Sequence, residues 1–228
     1  MSDRPPPGPL GILMLDTRFP RILGDVGNAG SYDFPVILRR MDGIGPADAV
    51  VAHPDRPRVL AALRANAEAL AADGAVGLGT SCGFLALYQE DLAAVSPVPV
   101  ATSALLHIAK RPHRRIGVIT ASAKNLTPAH FEAVGAPGDT PVVGMPEGGS
   151  FAGTFLGNGL TLDREAVERE VVVAGRDLLE RYPDVDTVVL ECTNLPPYRQ
   201  ALEHALGRPV LDVLDLLKDF YREVSARR

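Results

Sequence analysis

The chain repeats itself. A short apolar run ends in Thr80-Ser81-Cys82 in the first half, and another ends in Leu190-Glu191-Cys192 in the second. A tyrosine follows each cysteine at the same interval (Tyr88, Tyr198), and a leucine follows each tyrosine at the same interval (Leu92, Leu202). Then comes Pro99-Val100-Ala101 in one half and Pro209-Val210-Leu211 in the other, each followed by a Leu-Leu pair, Leu105-Leu106 or Leu216-Leu217. Upstream, Gly11-Ile12-Leu13-Met14 matches Gly117-Val118-Ile119. Such a repeat divides the 228 residues into two similar units, each of roughly 100 residues and large enough for a core of its own.

The apolar runs at Leu10–Leu15, 75–78, 98–101, Ile116–Thr120, Thr187–Leu190 and 209–211 are rich in Val, Ile and Leu and bounded by Gly, Pro or polar residues. That pattern predicts strands buried on both faces, with a weaker one at 141–145, where Pro and Gly interrupt. Helical spacing runs between them. It begins at Asp55 with Val59, Leu63, Asn66 and Leu70, and at Asp163 with Val167, Val171, Ala174 and Leu178. It begins again at Thr127-Pro128 and at Asp212, the last with Val213, Leu216, Leu217, Phe220, Tyr221 and Val224. Asp and Thr cap helices, and Pro suits a first turn. The expected class is α/β: two pseudo-symmetric lobes, each a mostly parallel sheet flanked by helices. Residues 1–105 and 209–228 are assigned to the first lobe, and 106–208 to the second. The Gly- and Asp-rich stretch from Pro20 to Pro54 reads as mostly loop, of a length that is often functional.

Composition excludes several classes. Lys and Arg number 23 against 28 Asp and Glu, for a net charge of −5. This mild acidity argues against a nucleic-acid surface and a polybasic membrane contact. Two cysteines are too few for a disulfide framework, and neither lies in a C-x-x-C pair. The polar, proline-rich start, residues 1–9, precedes an apolar run too short for a secretory signal, and no run is long enough to span a membrane. A cytoplasmic setting is expected, and a homodimer is compatible with the size.

Each cysteine ends a strand and precedes a helix, the place where open α/β sheets bind ligands. A free cysteine is often an inert buried hydrophobe, but two inert cysteines need not occupy equivalent positions. Gly83 allows close approach after Cys82, while Thr193, Asn194, Pro196 and Pro197 suit a helix start after Cys192. A helix N-terminus favours the thiolate, which predicts thiol pKa values below their usual range, and its N–H groups can hold a carboxylate. Two thiols facing one carbon acid could deprotonate it on one face and reprotonate it on the other, which is two-base racemisation.

These residues resemble the aspartate/glutamate/hydantoin racemase superfamily. The resemblance rests on Thr80-Ser81-Cys82-Gly83-Phe84 and Glu191-Cys192-Thr193-Asn194-Leu195-Pro196, and runs from Leu10 to the last helix. It implies a racemase that needs no cofactor or metal, with its active site between the two lobes, Cys82 and Cys192 as opposed acid and base and a small carboxylate as substrate. It further implies substrate-binding roles for Thr80, Ser81, Gly83, Thr193 and Asn194, for Asp16 at the end of the first strand, and for Thr120, Ala121 and Ser122. Gly83-Phe84 replaces the Asn-Thr of glutamate racemases, and Asn194 replaces their His, so the general chemistry is better supported than that substrate. A decarboxylase or cis-trans isomerase of the same superfamily, or a non-catalytic carboxylate-binding module, is the alternative.

Other features read as structural. Glu191 should point to the opposite side of its strand from Cys192, as a satisfied carboxylate. His53 reads as a loop residue, and the five histidines show no zinc-site spacing. The basic run 110–115 reads as a solvated turn. Gly148-Gly149-Ser150 and Gly157-Asn158-Gly159 read as a flexible flap or turns.

Overall fold

The computed structural model describes residues 7–226; the first six residues of the proline-rich start lie outside the described residues. Among the described residues, eight strands form two four-stranded sheets. Strands β1 (Leu10–Leu15), β2 (Val36–Met41), β3 (Gly77–Thr80) and β4 (Val100–Ala101) lie in the order β2-β1-β3-β4. Strands β5 (Ile116–Thr120), β6 (Val142–Gly144), β7 (Thr187–Leu190) and β8 (Val210–Leu211) lie in the order β6-β5-β7-β8. Every pairing is parallel, and equivalent residues pair in the two lobes: Gly11 with Leu78, and Gly117 with Val188.

The helices, in chain order, are α1 (Pro46–Ala49), α2 (Arg56–Ala72), α3 (Gln89–Val95), α4 (Leu106–Ala109), α5 (Pro128–Glu132), α6 (Arg164–Arg181), α7 (Arg199–Leu206) and α8 (Val213–Ala226). The two long crossovers, α2 and α6, start where their aspartates predict. Arg58 N–H donates to Asp55 Oδ1 at 3.2 Å, and Ala166 N–H donates to Asp163 Oδ1 at 2.9 Å. At Thr127 the N–H donates to His130 Nδ1, closing the first turn of α5. Each cap contributes about 1 kcal/mol. The apolar stripes of α2 (Val59, Leu63, Leu70) and α6 (Val167, Val171, Leu178) are buried, as their spacing predicts. The fold is the expected one: two pseudo-symmetric α/β lobes, each with a parallel sheet flanked by helices. No helix among the described residues is long and apolar enough to cross a membrane.

Three details differ from expectation. The loop expected from Pro20 to Pro54 contains strand β2, which pairs with β1 at the sheet edge. An edge strand buries only part of its surface, so β2 can carry Arg39 and Arg40 before its last residue, Met41, and lacks the continuous apolar run that marks its neighbours. Strand β3 starts at Gly77 rather than Ala75. Third, β8 pairs with β7, so Val210 and Leu211 belong to the second sheet, although residues from 209 onward were assigned to the first lobe. The chain crosses back after β8, and α8 packs on β3 and β4. Gly79 permits that docking, because a Cβ there would stand 2.6 Å from Leu217 Cδ2. Burial of Leu216, Leu217 and Phe220 stabilises the crossing by roughly 1.5–3 kcal/mol per side chain.

Candidate active site between the lobes

Both cysteines lie just beyond the carboxyl ends of corresponding strands, and both enter the same turn. Leu85 N–H donates to the Cys82 carbonyl at 3.1 Å, and Leu195 N–H donates to the Cys192 carbonyl at 3.1 Å. A 3-10 helix follows each, at Gly83–Tyr88 and Pro196–Tyr198. The residue before each cysteine reaches back to the first strand of its own lobe. Ser81 Oγ accepts from Leu15 N–H at 2.9 Å, and Glu191 Oε2 accepts from the Thr120 hydroxyl at 2.8 Å.

The lobes are joined at these turns. Thr193 Oγ1 donates to the Ser81 carbonyl at 2.6 Å. Gly83 packs so closely on the other lobe that a Cβ would stand 2.2 Å from both the carbonyl oxygen and Oε1 of Glu191. Only glycine fits there. Both thiols therefore line one cleft of about 390 Å³ of empty space, its open mouth included.

Of the residues expected at the site, Ser81, Cys82, Gly83, Ala121, Cys192, Thr193 and Asn194 line this cleft. Thr80 and Thr120 are fully buried behind it, with the Thr80 hydroxyl donating to the Thr102 carbonyl. Ser122 faces a neighbouring surface hollow, and His53 lines a separate groove. Asp16 turns away: its Oδ2 accepts from Gly43 N–H at 3.1 Å, which ties β1 to the turn after β2.

Several cleft residues escaped the sequence reading. Phe19, Phe151 and Phe155 form an aromatic wall, with Phe155 lying 4.9 Å from the centroids of both other rings. Phe151 and Phe155 lie between the two glycine-rich segments read as a flap or turns. Glu170 pins the end of the first by accepting from Ser150 and Phe151 N–H at 2.6 and 2.9 Å. The Arg21 guanidinium lies 4.3 Å over the Phe19 ring and pairs with Asp25 at 2.8 Å. The glycine-rich sequence around Asp25 signalled a loop, and only its length hinted at function.

Glu191 is not the satisfied carboxylate that alternation suggested. The ladder still reaches it, with Glu191 N–H donating to the Ile119 carbonyl at 2.9 Å, and its side chain stands beside Thr120 of β5. The Glu191 side chain is fully buried, Thr120 satisfies Oε2, and Oε1 has no hydrogen-bond partner among the described residues. Burial pushes its pKa up to about 7, against the opposing hydrogen bond from Thr120.

The thiols also depart from expectation. Burial pushes Cys82 up to about 12, with the negative charge of Glu191 adding to it. Burial and then Glu191 also raise Cys192 well above its usual range. Backbone N–H groups pull the other way, those of Phe84 and Leu85 on Cys82 and that of Asn194 on Cys192. A short 3-10 turn lacks the aligned dipole of a long helix, so desolvation wins.

The chain resembles known proteins over nearly its whole length. The family model for Asp/Glu/Hydantoin racemase matches residues 100–218. Dimethylsulfoniopropionate lyase 5 of Emiliania huxleyi (strain CCMP1516) is 32% identical over 239 residues, covering 99% of this chain. This chain spans 47% of that lyase, about half its length. The dimethylsulfoniopropionate lyase of Durusdinium sp. clade D is 27% identical over 96% of this chain and 78% of its own length. Among solved structures, a variant of arylmalonate decarboxylase in its sulfate-associated form superposes with a TM-score of 0.63 at 18% identity, over 96% of this chain and 94% of that one. Glutamate racemase from Thermus thermophilus, in complex with β-chloro-D-alanine, gives a TM-score of 0.56 at 19% identity, over 98% and 83%. At these identities the structures share the fold. The matched family model covers more than half of the sequence, including Cys192 and the second sheet, and the chain belongs to the Asp/Glu/hydantoin racemase family.

Proposed function

We propose that the protein is a lyase acting on small carboxylates that carry a cationic leaving group on the β-carbon, with dimethylsulfoniopropionate the first substrate to try. The observation that carries this reading is the composition of the cleft: two thiols, an aromatic wall and the buried Glu191. A sulfonium or ammonium group is attracted to aromatic faces and to a buried carboxylate. Its positive charge beside the thiols offsets the burial that holds them protonated, so the substrate itself would favour the thiolate. Two lyases of dimethylsulfoniopropionate match nearly all of this chain, which supports the same choice.

In the reaction, a thiolate takes the proton on the carbon next to the carboxylate. The electron pair forms the Cα–Cβ double bond as the Cβ–S bond breaks. Dimethyl sulfide leaves as a neutral molecule and acrylate remains. Arg21, in the cleft wall, offers positive charge to the substrate carboxylate. The Thr193 hydroxyl, donating to the Ser81 carbonyl, holds together the two turns whose N–H groups face the thiols.

Inversion at the α-carbon is a second reading, favoured by the equivalent positions of Cys82 and Cys192 in the two lobes. The experiment runs both in parallel. Purified protein is incubated with dimethylsulfoniopropionate, and dimethyl sulfide is measured by headspace gas chromatography with acrylate by NMR. D- and L-amino acids are tested in heavy water for deuterium at the α-carbon. Dimethyl sulfide release that is lost in Cys82→Ser and Cys192→Ser supports the lyase. Deuterium exchange with inversion and no dimethyl sulfide replaces it with the racemase.

A further inference from the structure

The buried polar cluster around Asp25 distinguishes the two thiols. Asp25 is 1% exposed and its carboxylate only accepts hydrogen bonds: Oδ1 takes Gly27 N–H at 2.7 Å and Arg21 Nη1 at 2.8 Å, and Oδ2 takes Asn194 Nδ2 at 2.7 Å. An amide side chain has one donor end and one acceptor end. With its nitrogen committed to Asp25, Asn194 must turn its carbonyl oxygen to the other side. The reverse orientation would bury two acceptor oxygens against each other. That carbonyl faces Cys192, whose thiol donates to Asn194 Oδ1 at 3.7 Å. The surroundings of Cys82 are different. Backbone N–H groups face both thiols, those of Phe84 and Leu85 at Cys82 and that of Asn194 at Cys192, but no side-chain acceptor for the Cys82 proton is found among the described residues.

We propose that Asp25 is a positioning residue: it fixes the Asn194 amide so that Cys192 is held as a proton-bearing thiol, leaving Cys82 as the thiol that ionises. A hydrogen bond to the neutral form of an acid opposes its ionisation, and N–H groups facing a sulfur favour it. The two cysteines thus have different tasks despite their equivalent positions. The chemical consequence rests on the two-thiol reading of the cleft, but the state of the thiols can be measured without any substrate.

The test is alkylation by iodoacetamide at a fixed pH, with the rate at each cysteine read from its own peptide by mass spectrometry. In the unmodified protein Cys82 should react faster. Asp25→Asn frees the Asn194 amide to turn its N–H toward Cys192, and the Cys192-to-Cys82 rate ratio should rise about tenfold, the worth of one hydrogen bond. The ratio cancels any change in access to the shared cleft. Removing the charge of Asp25 would also ease ionisation of Cys192 through space, so the substitution is repeated in an Asn194→Ala background. There the positioning effect has nothing to act through, and Asp25→Asn should raise the ratio only by the smaller through-space part. An equal rise in both backgrounds, no rise in either, or a faster Cys192 in the unmodified protein overturns the proposal. If Asp25→Asn leaves Arg21 unpaired and fails to fold, Asn194→Ala alone keeps the Arg21–Asp25 pair and carries the test. It removes the acceptor and should raise the Cys192 rate relative to Cys82, and an unchanged ratio overturns the proposal. Because no step uses a substrate, failure here is separate from failure of the lyase reading.

Discussion

The two lobes share their scaffold and differ in their chemistry. Strand order, parallel register and the turn after the cysteine are the same in both. So is a buried tyrosine hydroxyl, on Tyr88 and Tyr198, with no protein partner. The differences are concentrated on either side of each cysteine. Before it stands Ser81 in one lobe and Glu191 in the other. After it stand Gly83-Phe84 in one lobe and Thr193-Asn194 in the other. The first lobe gives its thiol N–H groups and an apolar neighbour, and the second surrounds its thiol with side chains that accept, donate or carry charge. Duplicated architecture places two like groups across one cleft, and substitution of their immediate neighbours then makes them unlike.

The largest effect should come from removing either thiol. Cys82→Ser and Cys192→Ser should each lower turnover by about 10²–10⁴-fold, the contribution of a positioned acid or base, as measured by initial rates of product release. If one variant keeps full activity, the comparison breaks and the site reduces to a single thiol.

The next test concerns the residues before the cysteines. Folding raises the pKa of Glu191 to about 7 from an ordinary value of 4.5. The folded chain therefore holds a proton that the unfolded chain releases at lower pH. The stability this confers is complete below about pH 4.5 and is lost as the pH rises through 7. At pH 8 the ionised carboxylate should cost on the order of 3 kcal/mol. Glu191→Gln should abolish that fall in urea-denaturation midpoints between pH 5 and pH 8. Ser81→Ala should leave the fall in place, because Ser81 carries no charge.

Half of this comparison was readable from the sequence. The repeat located both cysteines and both central strands, because each is a local pattern of apolar runs and turn-formers, while the place of Thr193 and Asn194 beside the cleft was implied by the family resemblance. The other half depends on contacts between distant segments. Phe19, Arg21 and Asp25 lie in a stretch whose glycines signal a loop, and only the folded chain brings Asp25 to Asn194. Strand β2 was hidden because an edge position tolerates Arg39 and Arg40. Glu191 was misread because alternation gives a side and not a partner: Thr120 satisfies one oxygen, and the other faces Gly83 of the other lobe. The thiol pKa values were expected to fall because a helix start is visible in sequence whereas burial is not.

Smaller effects should come from the residues after the cysteines, which join the lobes. Gly83→Ala would place a Cβ at 2.2 Å from the Glu191 carbonyl oxygen, a backbone atom that cannot swing aside. A cost near the upper end of the 1–3 kcal/mol range for overpacking is expected, about 2–3 kcal/mol, together with a displaced Glu191. Thr193→Val tests the opposite side of the same joint. The variant keeps the shape of the side chain but removes the donor to the Ser81 carbonyl, now 2.6 Å away. A buried carbonyl left without its donor should cost about 1–2 kcal/mol in denaturant unfolding. The hydrogen bond runs from the turn bearing Cys192 to the residue before Cys82, so its loss should also loosen the spacing of the two thiols. Catalysis is sensitive to such misplacement, so the fall in kcat should be larger for Thr193→Val than for a substitution of equal stability cost at Leu202, which is buried in α7 away from the cleft. Equal losses of activity at equal loss of stability would mean that the joint only holds the lobes together and does not set the distance between their cysteines.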